Sequence, residues 1–285
     1  MNTAAVVVSG LVRAFGERFA VNGLDLEVGT HEFLGLLGPN GAGKTTTIHV
    51  LATLLAPTAG RVEVLGLDPV SQGAKLRRRI GIVPQQVALY DELGAAENLD
   101  FLGRVYGLRG SRLKDRVDWA LEVAGLTERR ASRVSEFSGG MKRRLNLVAA
   151  LLHEPELIFL DEPTVGVDPQ SRNHLFEMIE SLRGQVTLVY TTHQMGEIER
   201  LCDRIAVMDE GRLVAQGTLE ELHAAQVDGQ QTATRIELAE GQDRSKAAAL
   251  LNAHGFETVQ RDAHLDLEQI FLGLTGKALR DGGAA

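Results

Sequence analysis

The chain has 285 residues, 44% of them hydrophobic and 24% charged, and 30 Lys and Arg against 38 Asp and Glu give a formal net charge of -8 at pH 7. That balance excludes a disordered chain and argues against broad, charge-driven nucleic-acid binding, while the length fits roughly two units of about 150 residues. No stretch reaches the ~18 consecutive apolar residues of a spanning helix, residues 1–8 lack the pattern of a secretion signal, and the single Cys202 allows neither an internal disulfide nor a cysteine-based zinc site, so the expectation is a cytosolic chain.

In chain order, residues 6–8 and the period-two series Leu24, Leu26 and Val28 predict strands of an antiparallel opening sheet. Residues 33–37 predict a buried strand that runs into a Gly-rich turn at Gly38 and a helix from Lys44. The basic runs 75–79 and 142–144 read as solvated helix faces. Between Tyr90 and Leu152 the pattern becomes helical, with Leu99, Leu102, Val105 and Tyr106 on one face and Leu113, Val117, Ala120, Leu121 and Ala124 on another. Residues 158–160, 187–190 and 205–208 are continuous apolar strands, which suit a parallel sheet covered on both faces, so the fold class is α/β. Cys202, flanked by Leu201 and Ile205, reads as a buried and inert thiol. Residues 209–212 predict the turn of a hairpin joining 205–208 to 213–214. Residues 226–231 read as a linker, followed by a strand at 234–238, a helix at 246–251, an amphipathic helix at 267–274 and a frayed tail.

Gly38-Pro39-Asn40-Gly41-Ala42-Gly43-Lys44-Thr45 fits G-x-x-x-x-G-K-[ST] between an apolar strand and a helix. Glycines let the backbone wrap a polyphosphate with its N–H groups turned inward, and the helix N-terminus adds the positive end of its dipole. Lys44 is expected on the β- and γ-phosphates and the Thr45 hydroxyl on Mg²⁺, with Thr46 counted among the nucleotide-contacting positions. Asp161 ends an apolar strand, where it would orient the metal, and Glu162 beyond it would polarise the attacking water. A polar cap of the strand is the competing reading for this acidic pair.

Phe137-Ser138-Gly139-Gly140-Met141, followed on the same chain by the apolar strand ending in Asp161-Glu162-Pro163-Thr164, resembles the ATP-binding cassette (ABC) family. The resemblance spans residues 6–219 and implies a P-loop NTPase cassette with a RecA-like core, an antiparallel β subdomain and a helical subdomain at about 87–152. Residues 1–225 would form the ATPase domain and 226–285 a short C-terminal α+β accessory region. By the same resemblance Gln85 matches the glutamine loop and the Mg²⁺ position, with its neighbour Gln86 as the alternative assignment that the spacing to Tyr90 disfavours. Asp168 matches the D-loop, His193 the switch histidine, and Phe15 the aromatic that stacks on adenine, against the reading of a core Phe. Ser138 and the amides of Gly139 and Gly140 precede a helix, and in the family they face the nucleotide of a second ATP-binding subunit, which implies a homodimer with two ATP molecules between the copies. Met141 stands where the family usually has glutamine, and Lys142, Arg143 and Arg144 then fall near the interface.

The resemblance implies an ATP hydrolase that energises a transporter from the cytoplasmic face of the membrane, with an integral-membrane permease supplied by another chain and no nucleic-acid partner. The alternative is a soluble ABC protein acting on ribosomes or DNA, but this chain has one motif set and no long coiled coil between P-loop and signature. Three patterns look like the daunorubicin-resistance drug-export subfamily: residues 161–169, 138–145 and 267–276, although residues 231–267 are shorter than that subfamily usually carries. A hydrophobic drug or antibiotic is the implied cargo, with lipid, polysaccharide or ion export as alternatives.

Overall fold

The structure, a computed structural model, describes residues 4–228, 244–254 and 271–272. The first sheet follows from alternation: in β1 (Ala4–Phe15) Val6, Val8 and Leu11 point inward, and in β2 (Arg18–Gly29) Val21, Leu24, Leu26 and Val28 do the same. β1 lies between β2 and the further strand β4 (Ala59–Val64), antiparallel to both, with Val6 opposite Val28 on one side and Val64 on the other.

The second sheet has six strands in the order β5-β6-β7-β3-β8-β9. β5 (Ile80–Val83), β6 (Leu157–Asp161), β7 (Thr187–Thr192), β3 (Phe33–Leu37) and β8 (Arg204–Asp209) are parallel, and β9 (Arg212–Gly217) closes the edge antiparallel. Alternate residues of the central strands enter different apolar clusters. Phe33, Leu37, Ile158, Leu160, Leu188 and Tyr190 pack toward the helical side, whereas Leu34, Leu36, Leu157, Phe159 and Val189 join the first sheet. This double coverage accounts for the unbroken apolar runs. The hairpin from β8 to β9 turns through Glu210 and Gly211, with φ of 49° and 77°, the pair of positive angles that a tight two-residue hairpin turn requires.

The register sets up the site. Asp161 stands opposite Thr191, and Leu37, the last residue before the P-loop, stands opposite Thr192. The carboxyl ends of parallel strands, where α/β sheets bind ligands, therefore bring three motifs side by side. α1 (Lys44–Leu51) leaves the P-loop, and the helical region holds α3 (Ala95–Val105), α4 (Gly110–Val123) and α5 (Gly139–Leu151), after the short α2 (Gly73–Leu76). α6 (Pro169–Glu180) and α7 (Met195–Leu201) follow β6 and β7, and α8 (Leu219–Asp228) and α9 (Arg244–Ala253) come last.

Three expectations change. Val105 is 66% exposed and leaves the predicted apolar face, and Tyr106 stacks on His153 with ring centroids 3.7 Å apart. Residues 226–228, read as the start of a linker, continue α8. The first sheet gains β4, whose two inward residues, Val62 and Val64, carry too little apolar pattern to be read beforehand. The expected helix at 246–251 lies within α9. The strand at 234–238 and most of 267–274 lie outside the described residues; Phe271 is buried against the main core and Leu272 is exposed. The Cys202 thiol packs against Gly35, and burial pushes its pKa well up, as an inert thiol requires. Among the described residues no helix is long and apolar enough to cross a membrane.

Candidate nucleotide-hydrolysis site

Between β3 and α1 the backbone takes left-handed angles at Gly41 (φ 85°) and Gly43 (φ 102°). A side chain at Gly43 would put its Cβ 2.4 Å from the Ala20 carbonyl oxygen, so the loop closes on β2 only with glycine there. Asn40 and Gly41 form the exposed crest, Pro39 and Thr46 are half-buried, and Gly38 and Ala42 are buried. Lys44 folds back across its own loop and donates to the carbonyls of Gly38 (2.6 Å) and Pro39 (3.1 Å). Its Nζ is also 3.6 Å from Glu162 Oε1, with the two side chains only 4% and 8% exposed. Burial lowers the Lys44 pKa below the usual lysine value, against the opposing pull of Glu162 and then Asp161.

Asp161 Oδ1 accepts hydrogen bonds from Thr45 Oγ1 at 3.0 Å and from Thr191 Oγ1 at 2.6 Å. One residue on, Glu162 has φ 44°. A non-glycine residue at that angle is strained by about 1–3 kcal/mol and persists only where its surroundings hold it. Here the Glu162 N–H donates to the Thr191 carbonyl (3.1 Å) and to Thr191 Oγ1 (3.0 Å). The left-handed turn swings its side chain away from that of Asp161.

Three expected residues meet on this carboxylate. Gln85 Nε2 donates to Glu162 Oε2 at 3.2 Å, His193 Nδ1 lies 3.3 Å from Oε1, and Lys44 shares Oε1. Of the two neighbouring glutamines, Gln85 is the one whose side chain donates to Glu162. Phe15, at the end of β1, is 49% exposed, which removes the reading of a core aromatic; the Arg13 guanidinium lies 4.5 Å from its ring centroid. The turn from Phe15 to Ala20 borders the P-loop, since Arg18 also reaches toward Gly41.

Ser138, Gly139, Gly140 and Asp168 form a separate group. Ser138 caps α5 by accepting from the Met141 N–H (3.2 Å), and Asp168 caps α6 by accepting from the Ser171 N–H (3.0 Å), a backbone bond that pulls its carboxyl below the usual range. Ser138 and Gly139 are exposed, while Gly140 is pressed against Ser171 so closely that a Cβ would fall 2.0 Å from the serine oxygen. Among the described residues no hydrogen bond or ion pair joins this group to the P-loop.

The sequence profile of ABC transporters matches residues 21–165, from within β2 to the turn after Glu162. The chain belongs to the ABC transporter family. It is 39% identical over 303 residues to the linearmycin resistance ATP-binding protein of Bacillus subtilis, with 94% of this chain and 97% of that protein covered. It is 40% identical to the daunorubicin/doxorubicin resistance ATP-binding protein of Streptomyces peucetius, covering 92% of this chain and 78% of that one. Among solved structures, the ATP-binding subunit of an ABC transporter matches with a TM-score of 0.72 and 29% identity, covering 81% of this chain and 95% of that chain. The cassette fold and the family make this protein an ATP-binding, ATP-hydrolysing ABC subunit. Such subunits work with membrane permeases and dimerise.

Two partners of this ABC site were not visible beforehand. Thr191 holds both Asp161 and the Glu162 backbone, but only the register of β6 and β7 reveals it. Arg143, read as part of a basic helix face, donates to the Gln85 carbonyl and to the Val165 carbonyl (3.1 Å), so it ties α5 to the loop of Gln85 and to the turn after Glu162. Lys142 pairs with Asp91 at 2.7 Å, and Arg144 donates to the Ala124 carbonyl at 2.6 Å.

Proposed function

We propose that this chain is the ATPase subunit of an exporter of hydrophobic drugs or antibiotics, acting as a homodimer beneath its permease on the cytoplasmic face of the membrane. The observation that carries the site reading is the convergence of Lys44, Gln85 and His193 on the strained Glu162, while Ser138 and Gly139 stand exposed in a different group. Such a division describes two half-sites, each completed by the other copy. Lys44, the P-loop amides and Thr46 would bind the phosphates, Phe15 the adenine, and Ser138 with the Gly139 and Gly140 amides the γ-phosphate from the second copy, next to Asp168. Glu162 would polarise the attacking water and His193 would hold the γ-phosphate end. Thr45, Asp161 and Gln85 present oxygen donors of the kind that suit Mg²⁺, and the direct Thr45–Asp161 contact fits a shared ion. That ion would supply charge neutralisation on the phosphates.

Drug or antibiotic cargo is supported by the names of the two resistance relatives. A permease contact is supported by exposed Tyr90, which follows Gln85 by five residues, and exposed Phe101 of α3, the two rings packed edge to face at 5.2 Å. Residues 1–225 would be the ATPase domain and 226–285 the accessory region. The test is to purify the chain with its native membrane partner and measure ATP-dependent efflux of candidate compounds from cells, with Glu162→Gln as the inactive control. Recovery with ribosomes or DNA, and never with a membrane protein, would overturn the export reading. Transport of a lipid, a polysaccharide or an ion alone would overturn only the cargo.

A further inference from the structure

Glu197 is a buried carboxylate that the chemistry above does not use. It lies in the first turn of α7, four residues past His193, is 3% exposed, and among the described residues it enters no ion pair. Three hydroxyls converge on it. Thr164 Oγ1 donates to Oε1 at 2.6 Å, and Thr192 Oγ1 (2.7 Å) and Tyr190 Oη (2.9 Å) donate to Oε2. An ionised carboxylate only accepts, so each hydroxyl is fixed as a donor. Burial, with the nearby charge of Glu197 next, raises the Tyr190 pKa well above its usual value and keeps that phenol a donor. A carboxylate without a cation is a costly way to fill apolar space, and its presence is explained by what it holds in place.

Both sides of His193 are tied to it. The Thr192 hydroxyl that donates to Glu197 also accepts from the Gln194 N–H at 2.9 Å. The residues before and after His193 are thus locked by one hydroxyl. The other carboxylate oxygen holds Thr164, two residues past Glu162, and the Thr164 carbonyl accepts from the Val167 N–H at 3.1 Å. One side chain therefore links the loop of the switch histidine to the turn that runs from Glu162 toward Asp168.

We propose that Glu197 is a positioning residue for ATP hydrolysis, which through Thr192 and Thr164 sets His193 against Glu162 and couples both to the turn leading to Asp168. This rests on the reading of Glu162 and His193 as parts of the hydrolytic site.

The test compares the full chain carrying Thr192→Val, Thr192→Ser and Glu197→Gln by ATPase kinetics and by NMR of labelled histidine rings. Thr192→Val keeps the side-chain shape and removes the hydroxyl, so it reads the same link if Glu197→Gln fails to fold. Thr192→Val should lower kcat about tenfold while KM for ATP stays within about twofold, and should move the His193 ring resonance. Folded Glu197→Gln should do the same, and Thr192→Ser should restore both rate and spectrum. A merely structural role would lower thermal stability and leave kcat of the folded protein and the His193 resonance unmoved, and that result overturns the proposal. Glu162→Gln separates the two levels. If it hydrolyses ATP normally, the site reading falls and this inference with it; if it is inactive while Thr192→Val is normal, only the role of Glu197 falls.

Discussion

Lys44 Nζ stands 3.6 Å from Glu162 Oε1, so the cation proposed to bind phosphate is paired with the carboxylate proposed to polarise water. Both are nearly buried, and a triphosphate bound at Lys44 would compete with Glu162 for the same cation. The relationship gives Glu162→Gln two effects of opposite kind. Removing the charge frees Lys44 and removes repulsion of the phosphates, so ATP should bind several-fold tighter. Losing the general base should lower turnover by about 100-fold or more. Equilibrium binding and phosphate release on one preparation measure both, and unchanged turnover would remove Glu162 from its role.

Lys44 also gives a pH dependence with a definite sign. Burial lowers its folded-state pKa below the 10.5 of the free side chain, so between those two values the folded chain binds fewer protons than the unfolded one. The cost of the buried charge is fully present below the lowered pKa and is relieved as pH rises toward 10.5. Without nucleotide, Lys44→Met should therefore be the more stable protein at neutral pH, and its advantage should shrink across that alkaline window. Bound phosphates favour the charged lysine, so ATP binding within the window should take up protons. Thermal melts over pH and calorimetry in buffers of different ionisation enthalpy check the two halves.

The central strands and the P-loop were legible because their signals are local: an apolar run, then glycines, then Lys-Thr. Glu162 was legible as a residue but its geometry was not, because the left-handed angle that turns it toward Lys44 depends on bonds to Thr191, a neighbour 29 positions away. Glu197 shows the same limit more sharply. Its spacing from His193 on a short helix says nothing, since two of its donors come from a neighbouring strand, β7, and the third from the turn after β6. β4 carries no legible apolar pattern because only two of its side chains face the core.

Gly140 is legible as part of a signature, but its contact with Ser171 makes the glycine requirement steric as well. A Cβ there would lie 2.0 Å from Ser171 Oγ and 2.3 Å from Ser171 Cβ. Gly140→Ala should force α5 and α6 apart, cost about 1–3 kcal/mol of stability and suppress ATP hydrolysis. Ser171→Gly removes both clashing atoms and leaves the N–H that caps on Asp168, so the double variant should recover most of the stability. Denaturant melts of the single and double variants check this, and a loss in the double variant equal to that in Gly140→Ala would refute the steric account.

The proposed role of Phe15 separates base recognition from phosphate recognition. The ring is 49% exposed, and Arg13, anchored on the Ala56 carbonyl at 3.0 Å, occupies one of its faces, so a stacked adenine has the other. Phe15→Ala should weaken ATP binding by about 2- to 12-fold, the equivalent of about 0.5–1.5 kcal/mol for an aromatic stack. Stability should change by less than about 0.5 kcal/mol, because no core contact is lost. Phe15→Trp should keep ATP affinity. Tripolyphosphate, which has no base to stack, should bind the wild type and Phe15→Ala equally. Measuring both ligands on the three proteins decides the matter, since an equal loss for tripolyphosphate would mean that Phe15 shapes the P-loop and does not hold the base.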